Sequence, residues 1–180
     1  MNKHLKHLVY AAACLALCIL LPFLTGNNRV LGSTLCLMHI PVLLCGFLCG
    51  PWWGLAVGAV APLLRSVTIG MPPLYPTAVA MAFELAVYGL LTGLLYRAFP
   101  KKPIFVYVTL IVAMLAGRLM SGAVQFALLG LFRTPYSFET FLTASFVTPW
   151  PGILLHIAII PPILFALKEA GLAERDGETA

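Results

Sequence analysis

Apolar runs long enough to cross a bilayer, each holding only a few charged side chains, constrain this chain more than any other feature. The stretch that organises it runs from Met38 to Arg97. It begins MHIPVLLCGFLCGPWWG, continues AVGAVAPLLRSVTIGMPPLYP and closes MAFELAVYGLLTGLLYR, with His39, Arg65 and Glu84 inside these runs. A charged side chain at membrane depth costs roughly 2.5–3.5 kcal/mol on insertion scales. Such residues persist where they face protein, pair with one another or line a polar cavity.

Composition settles the class. The 180 residues are 61% hydrophobic and 9% charged, with a mean hydropathy of +0.99. A soluble domain carries about a quarter charged residues, so this chain has too little polar surface to coat a globule in water. An all-α membrane protein forming one integral membrane domain over residues 1–180 is expected. The net charge of +5 sits in short connecting segments, and no aromatic-plus-basic patch suggests nucleic acid. The cysteines at 14, 18, 36, 45 and 49 lie in or beside apolar runs. They read as small packing residues rather than as a metal site.

The predicted spans cover about 8–24, 34–49, 53–69, 77–98, 104–132 and 151–168. The first follows the basic start Lys3, His4, Lys6, His7 and ends PFLTGNN, without the small-x-small pattern of a cleaved leader. It carries Ala12 and Ala16 four apart, a spacing that lets another helix approach closely. Pro41 falls near one end of the second span. Gly50-Pro51 marks a tight turn beside Trp52 and Trp53, which suit a membrane interface. Gly54 and Gly58, then Gly89 and Gly93, repeat the small-residue spacing. The loop GMPPLYP cannot be continuous helix. The segment 134–148 is amphipathic and too short to span, and is expected at the interface. The chain then closes with a helix containing His156 and Pro161-Pro162, followed by a charged tail.

An even count of spans puts both termini on one side. Lys3, Lys6, Arg97, Lys101, Lys102 and Lys168 fall on that side, whereas Arg29 and Arg133 fall on the other. The positive-inside rule therefore predicts cytoplasmic termini. In this frame His39 and Arg65 lie in the outer half. Glu84 and Arg118 lie near mid-membrane, with Gln125 further out. Arg118, Ser121 and Gln125 share one side of the fifth helix. Such a set suits a cavity open to the outside, and two arginines against one glutamate suit an anionic ligand. Blander readings stand beside this one. Glu84 and Arg118 neutralise each other and staple two helices; Arg65 snorkels to headgroups; His39 and His156 bond backbone freed by nearby prolines.

No GxxxxGK[ST], HExxH or GxSxG is present. Ser66, Ser121 and Ser145 have no recognised spacing to His39 or His156 that would make a hydrolase. A small membrane enzyme or assembly factor using a histidine and a serine near the outer face remains one alternative. A stand-alone carrier is another, although no inverted repeat is visible. The absence of a reaction motif favours binding and transport, with no cofactor.

The chain resembles the substrate-binding S components of energy-coupling factor (ECF) type vitamin transporters. The resemblance rests on Ala12-x-x-x-Ala16, on HIPVLLCGFLCGPWWGLAVG, on MPPLYPTAVAMAFELAVYGLLTGLLYR and on FLTASFVTPWPGILLHIAIIPPIL. It implies a six-helix receptor in a prokaryotic plasma membrane that captures a water-soluble vitamin or related micronutrient from outside. It also implies assembly with a T component, through Ala12 and Ala16, and with two cytoplasmic ATPase subunits that supply the energy. Ligand residues differ among members, so the expected binding set comes from the residues themselves: Arg118, Gln125 and Arg65, then His39, His156 and Glu84. A carboxylate-bearing vitamin such as pantothenate or folate suits the two arginines.

Overall fold

The computed structural model describes residues 3–26, 29–100, 102–131 and 137–171. Lys101 and Arg133, which entered the charge balance above, and the charged tail after Gly171 lie outside the described residues. The described residues form helices and contain no strand. These are α1 (Lys3–Leu20), α2 (Arg29–Leu35), α3 (His39–Cys49), α4 (Pro51–Ile69), α5 (Val79–Ala98), α6 (Pro103–Leu131), α7 (Phe138–Leu142) and α8 (Trp150–Glu169). A 3₁₀ segment, Leu21–Thr25, extends α1, and single wide turns at Leu74–Ala78 and Thr143–Val147 lead into α5 and follow α7.

Six stretches are long and apolar enough to cross a membrane: Lys3–Thr25, Val30–Cys49, Pro51–Ile69, Leu74–Ala98, Pro103–Leu129 and Glu139–Glu169. At 1.5 Å per residue, a helix the length of α4 is about 28 Å long, close to the hydrocarbon thickness. Outward-facing side chains such as Val67, Phe83, Ile104 and Phe126 are apolar and exposed, as lipid-facing positions require.

The second stretch departs from the single helix expected over 34–49. It begins earlier and breaks into α2 and α3 at Cys36, which adopts a left-handed backbone (φ 49°). The break places Pro41 in the first turn of α3, where its missing N–H costs no helical bond. The segment 134–148, expected at the interface, is described from Ser137 onward. Its described part is helical from Phe138 and runs into α8, so the last apolar stretch begins at Glu139. Between Gly70 and Pro73 the chain is non-helical, and Tyr75 is extended within the following wide turn. The Pro-rich loop behaves as its composition dictates.

Helix α5 is the centre of the bundle, packed by α4, α6 and α3. It buries Ala80, Ala82, Glu84, Leu85, Tyr88, Gly89, Thr92 and Gly93. The α4–α5 seam is made of backbone. A β-carbon on Gly54 would overlap the carbonyl of Gly89, and one on Gly58 would overlap that of Leu85. On the far side of α5, the ring of Tyr88 covers Gly117 of α6. Gly50, with φ 93°, turns the chain from α3 into α4 with no intervening loop. On α1, Ala11, Cys14 and Cys18 face inward, while Ala12 and Ala16 are exposed. All five cysteines are free and buried.

Candidate functional site

A cavity of about 300 Å³ opens at the end of the bundle opposite the start of α1 and the end of α8, at the small end of the range of small-molecule sites. The order of the chain shows why it lies there. Its walls come from the end of the first apolar stretch (Pro22, Thr25), the start of the second (Ser33, Cys36) and the end of the third (Arg65). The start of the fourth (Thr77, Glu84), the distal half of α6 (Arg118, Gln125) and the start of the last (Ser145) complete them. Met71, Pro72 and Pro73 contribute from the Pro-rich loop.

The polar floor is centred on one carboxylate oxygen. Tyr88, one helical turn after Glu84, donates its hydroxyl to Glu84 Oε1 at 2.9 Å. Arg118 Nη1 lies 3.2 Å from the same oxygen, and His39 Nε2 lies 3.6 Å from it. Burial makes this pairing obligatory, because a lone carboxylate or guanidinium at this depth would lose its hydration without compensation. Glu84 is 3% exposed and Arg118 is 7% exposed. The other terminal nitrogen of Arg118, Nη2, reaches Cys36 Sγ at 3.7 Å.

Further along the same face of α6, Gln125 donates from Nε2 to Ser121 Oγ at 3.4 Å. Tyr75 ties the loop side to α6 by donating its hydroxyl to the Leu128 carbonyl at 2.7 Å. The lining thus carries two guanidinium groups and one carboxylate. Among the described residues of the lining, Arg118 and Glu84 meet directly, and Arg65 places a second guanidinium at the cavity.

Five of the six residues expected to bind a ligand line this cavity: Arg118, Gln125, Arg65, His39 and Glu84. His156 does not. It is fully buried behind the wall, with Nε2 3.2 Å from the Cys36 carbonyl and its ring stacked on His39 at a centroid distance of 5.8 Å. The alternative in which a histidine satisfies freed backbone therefore describes His156. The carbonyl is freed by the helix break at Cys36, not by a proline.

Sequence reasoning passed over Cys36 and the loop residues Met71, Pro72 and Pro73. Cys36 carried no usable signal, because Thr-Leu-Cys-Leu-Met contains neither glycine nor proline to announce a break. The loop was legible as a loop, and its place over the cavity follows only from the packing of α4 against α5.

The family model described as "ECF transporter, substrate-specific component" matches residues 6–165. No curated protein and no solved structure matches the chain.

Proposed function

The chain belongs to the substrate-specific components of ECF transporters, and from that premise we propose that its cavity captures a carboxylate-bearing vitamin or related micronutrient for ATP-driven import. As a member of this family the chain is a multi-pass membrane subunit of a transporter and not an enzyme. Its family implies a small-molecule substrate and T and ATPase partners.

The observation that carries the reading is the cavity itself: a concave, partly apolar space in which Arg65, Arg118 and Gln125 converge with Glu84. A buried space that brings a few hydrogen-bonding groups together among apolar walls suits a small polar solute. The two guanidinium groups of the lining suit an anionic group on the ligand. Arg118 is engaged by Glu84, Arg65 places a second guanidinium at the lining, and Gln125 offers an amide that can donate and accept.

Both termini are assigned to the cytoplasm on the charge bias of Lys3, Lys6, Arg97, Lys102 and Lys168, which makes the cavity face outward. The exposed pair Ala12 and Ala16 is assigned to the T component, and two cytoplasmic ATPase subunits complete the importer. Small side chains on an otherwise apolar outer face permit close helix contact.

The test is ligand identification. The protein is extracted in mild detergent, purified and denatured, and the released small molecules are read by mass spectrometry. A stoichiometric carboxylate-bearing vitamin is the expected result. A folded protein that releases nothing, and gains no thermal stability from a vitamin panel, overturns the reading.

A further inference from the structure

His156 touches the cavity only through other residues, and those contacts link three elements. A carbonyl oxygen only accepts, so His156 Nε2 must carry the proton that it shares with the Cys36 carbonyl at 3.2 Å. The same carbonyl accepts the His39 backbone N–H at 2.9 Å. Cys36 is the left-handed residue that divides α2 from α3. Its thiol donates to the Ser33 carbonyl at 3.0 Å, and its sulfur receives Arg118 Nη2. The His156 ring lies nearly parallel to that of His39, at an interplanar angle of 21°. His39 in turn faces Glu84. The break, three residues before His39, and the charged floor are thus contacted through the same side chain.

Gly152 repeats the contact one turn earlier on α8. A β-carbon there would meet the carbonyls of Thr34 and Leu35, so α8 is pressed against the last turn of α2. Among the described residues, the seam between α8 and the broken span thus includes close backbone packing at Gly152 and, at His156, a buried side-chain hydrogen bond and a ring contact.

We propose that His156 is a positioning residue for the ligand cavity: its Nε2–H fixes the Cys36 break, and its ring fixes His39 against the Glu84–Arg118 pair. The inference rests on the cavity being the ligand site, and it adds a residue that acts on affinity without touching the ligand. Removing the donor leaves the Cys36 carbonyl with the His39 N–H alone, loosens the junction of α2 and α3 against α8, and lets Cys36 and His39 leave the wall together.

Cys36 provides a probe that needs no ligand. It lines the cavity, whereas Cys14, Cys18, Cys45 and Cys49 are buried in the core between α1 and α3 and serve as internal references. The full-length protein, in detergent or nanodiscs, is treated with N-ethylmaleimide, and alkylation of each cysteine is followed by peptide mass spectrometry. His156→Phe keeps a ring but removes the donor. It should raise the Cys36 rate about tenfold, the effect of deleting one buried hydrogen bond on a local opening equilibrium. His156→Gln can place an amide N–H near the position of Nε2 and should restore a rate close to that of the parent. If His156→Phe does not fold, His156→Asn, whose amide is too short to reach, replaces it with the same expectation.

An unchanged Cys36 rate in the donor-less variants overturns the proposal. So does equal acceleration in the Gln variant, or acceleration of all five cysteines together, which marks general loosening. The site reading fails separately: if Gln125→Ala and Arg65→Ala leave vitamin affinity unchanged, the cavity is not the ligand site, whatever Cys36 does.

Discussion

Glu84 Oε1 and Arg118 Nη1 lie 3.2 Å apart and join α5 to α6 inside the bundle, on the wall of the cavity. The two readings of this pair that the sequence offered are therefore compatible. It staples two helices, and it also faces the space where a ligand would sit. Tyr88 and His39 converge on the same oxygen, so the carboxylate is held from three elements, α3, α5 and α6.

Breaking that pair from one side leaves an uncompensated buried charge. Glu84→Ala and Arg118→Ala should each lower stability by about 3 kcal/mol, the usual cost of orphaning a buried ion. The double variant should fall short of the summed losses by more than about 1 kcal/mol, because the pair is coupled. Thermal unfolding in one detergent, for all four members of the cycle, measures this directly.

Gly89 lies against the Gly54 backbone, and nothing there can move aside. Gly89→Ala should cost about 1–3 kcal/mol through overpacking and reduce the yield of folded protein. Gly32→Ala is the matched control, since a β-carbon at that site meets no neighbour. Size-exclusion profiles of the two variants should differ clearly.

Ala12→Trp and Ala16→Trp place large rings on an exposed face of α1. Uptake by cells should be lost while ligand binding by the isolated protein is retained. Loss of both in a folded variant would remove the assigned role from that face.

Gln125 is only partly buried and, among the described residues, its side chain bonds Ser121. Gln125→Ala should leave the unfolding temperature nearly unchanged. It should weaken vitamin binding by roughly tenfold, the contribution of one good hydrogen bond. Isothermal titration with the vitamin identified by mass spectrometry gives both the affinity and its change.

Much of this organisation was written in residue type and spacing. Six apolar runs gave six spans, and the i, i+4 relation of Glu84 and Tyr88 became a hydrogen bond. The spacing of Arg118, Ser121 and Gln125 put all three on the cavity wall. What escaped was decided by tertiary contacts. The break at Cys36 has no local breaker; it is held by His156, far along the chain, and by Gly152 beneath the Thr34 and Leu35 carbonyls. His156 looked like His39 in sequence, an isolated histidine in an apolar run, and only packing separates the residue on the wall from the one behind it. The contacts of the stretch before α8 were hidden for a similar reason. Its polar residues gave no sign that Phe141 packs on Gly122 of α6 or that Ser145 is buried at the cavity.

The glycine seam between α4 and α5 has a consequence for how such a chain can change over time. Where backbone lies on backbone, no side chain exists to be exchanged, and almost any replacement is a steric fault. The cavity walls sit toward the other end of the same two helices and are built from side chains that touch open space. New ligand preferences can therefore arise by ordinary substitution at one end of the bundle, while the other end keeps the helices in register.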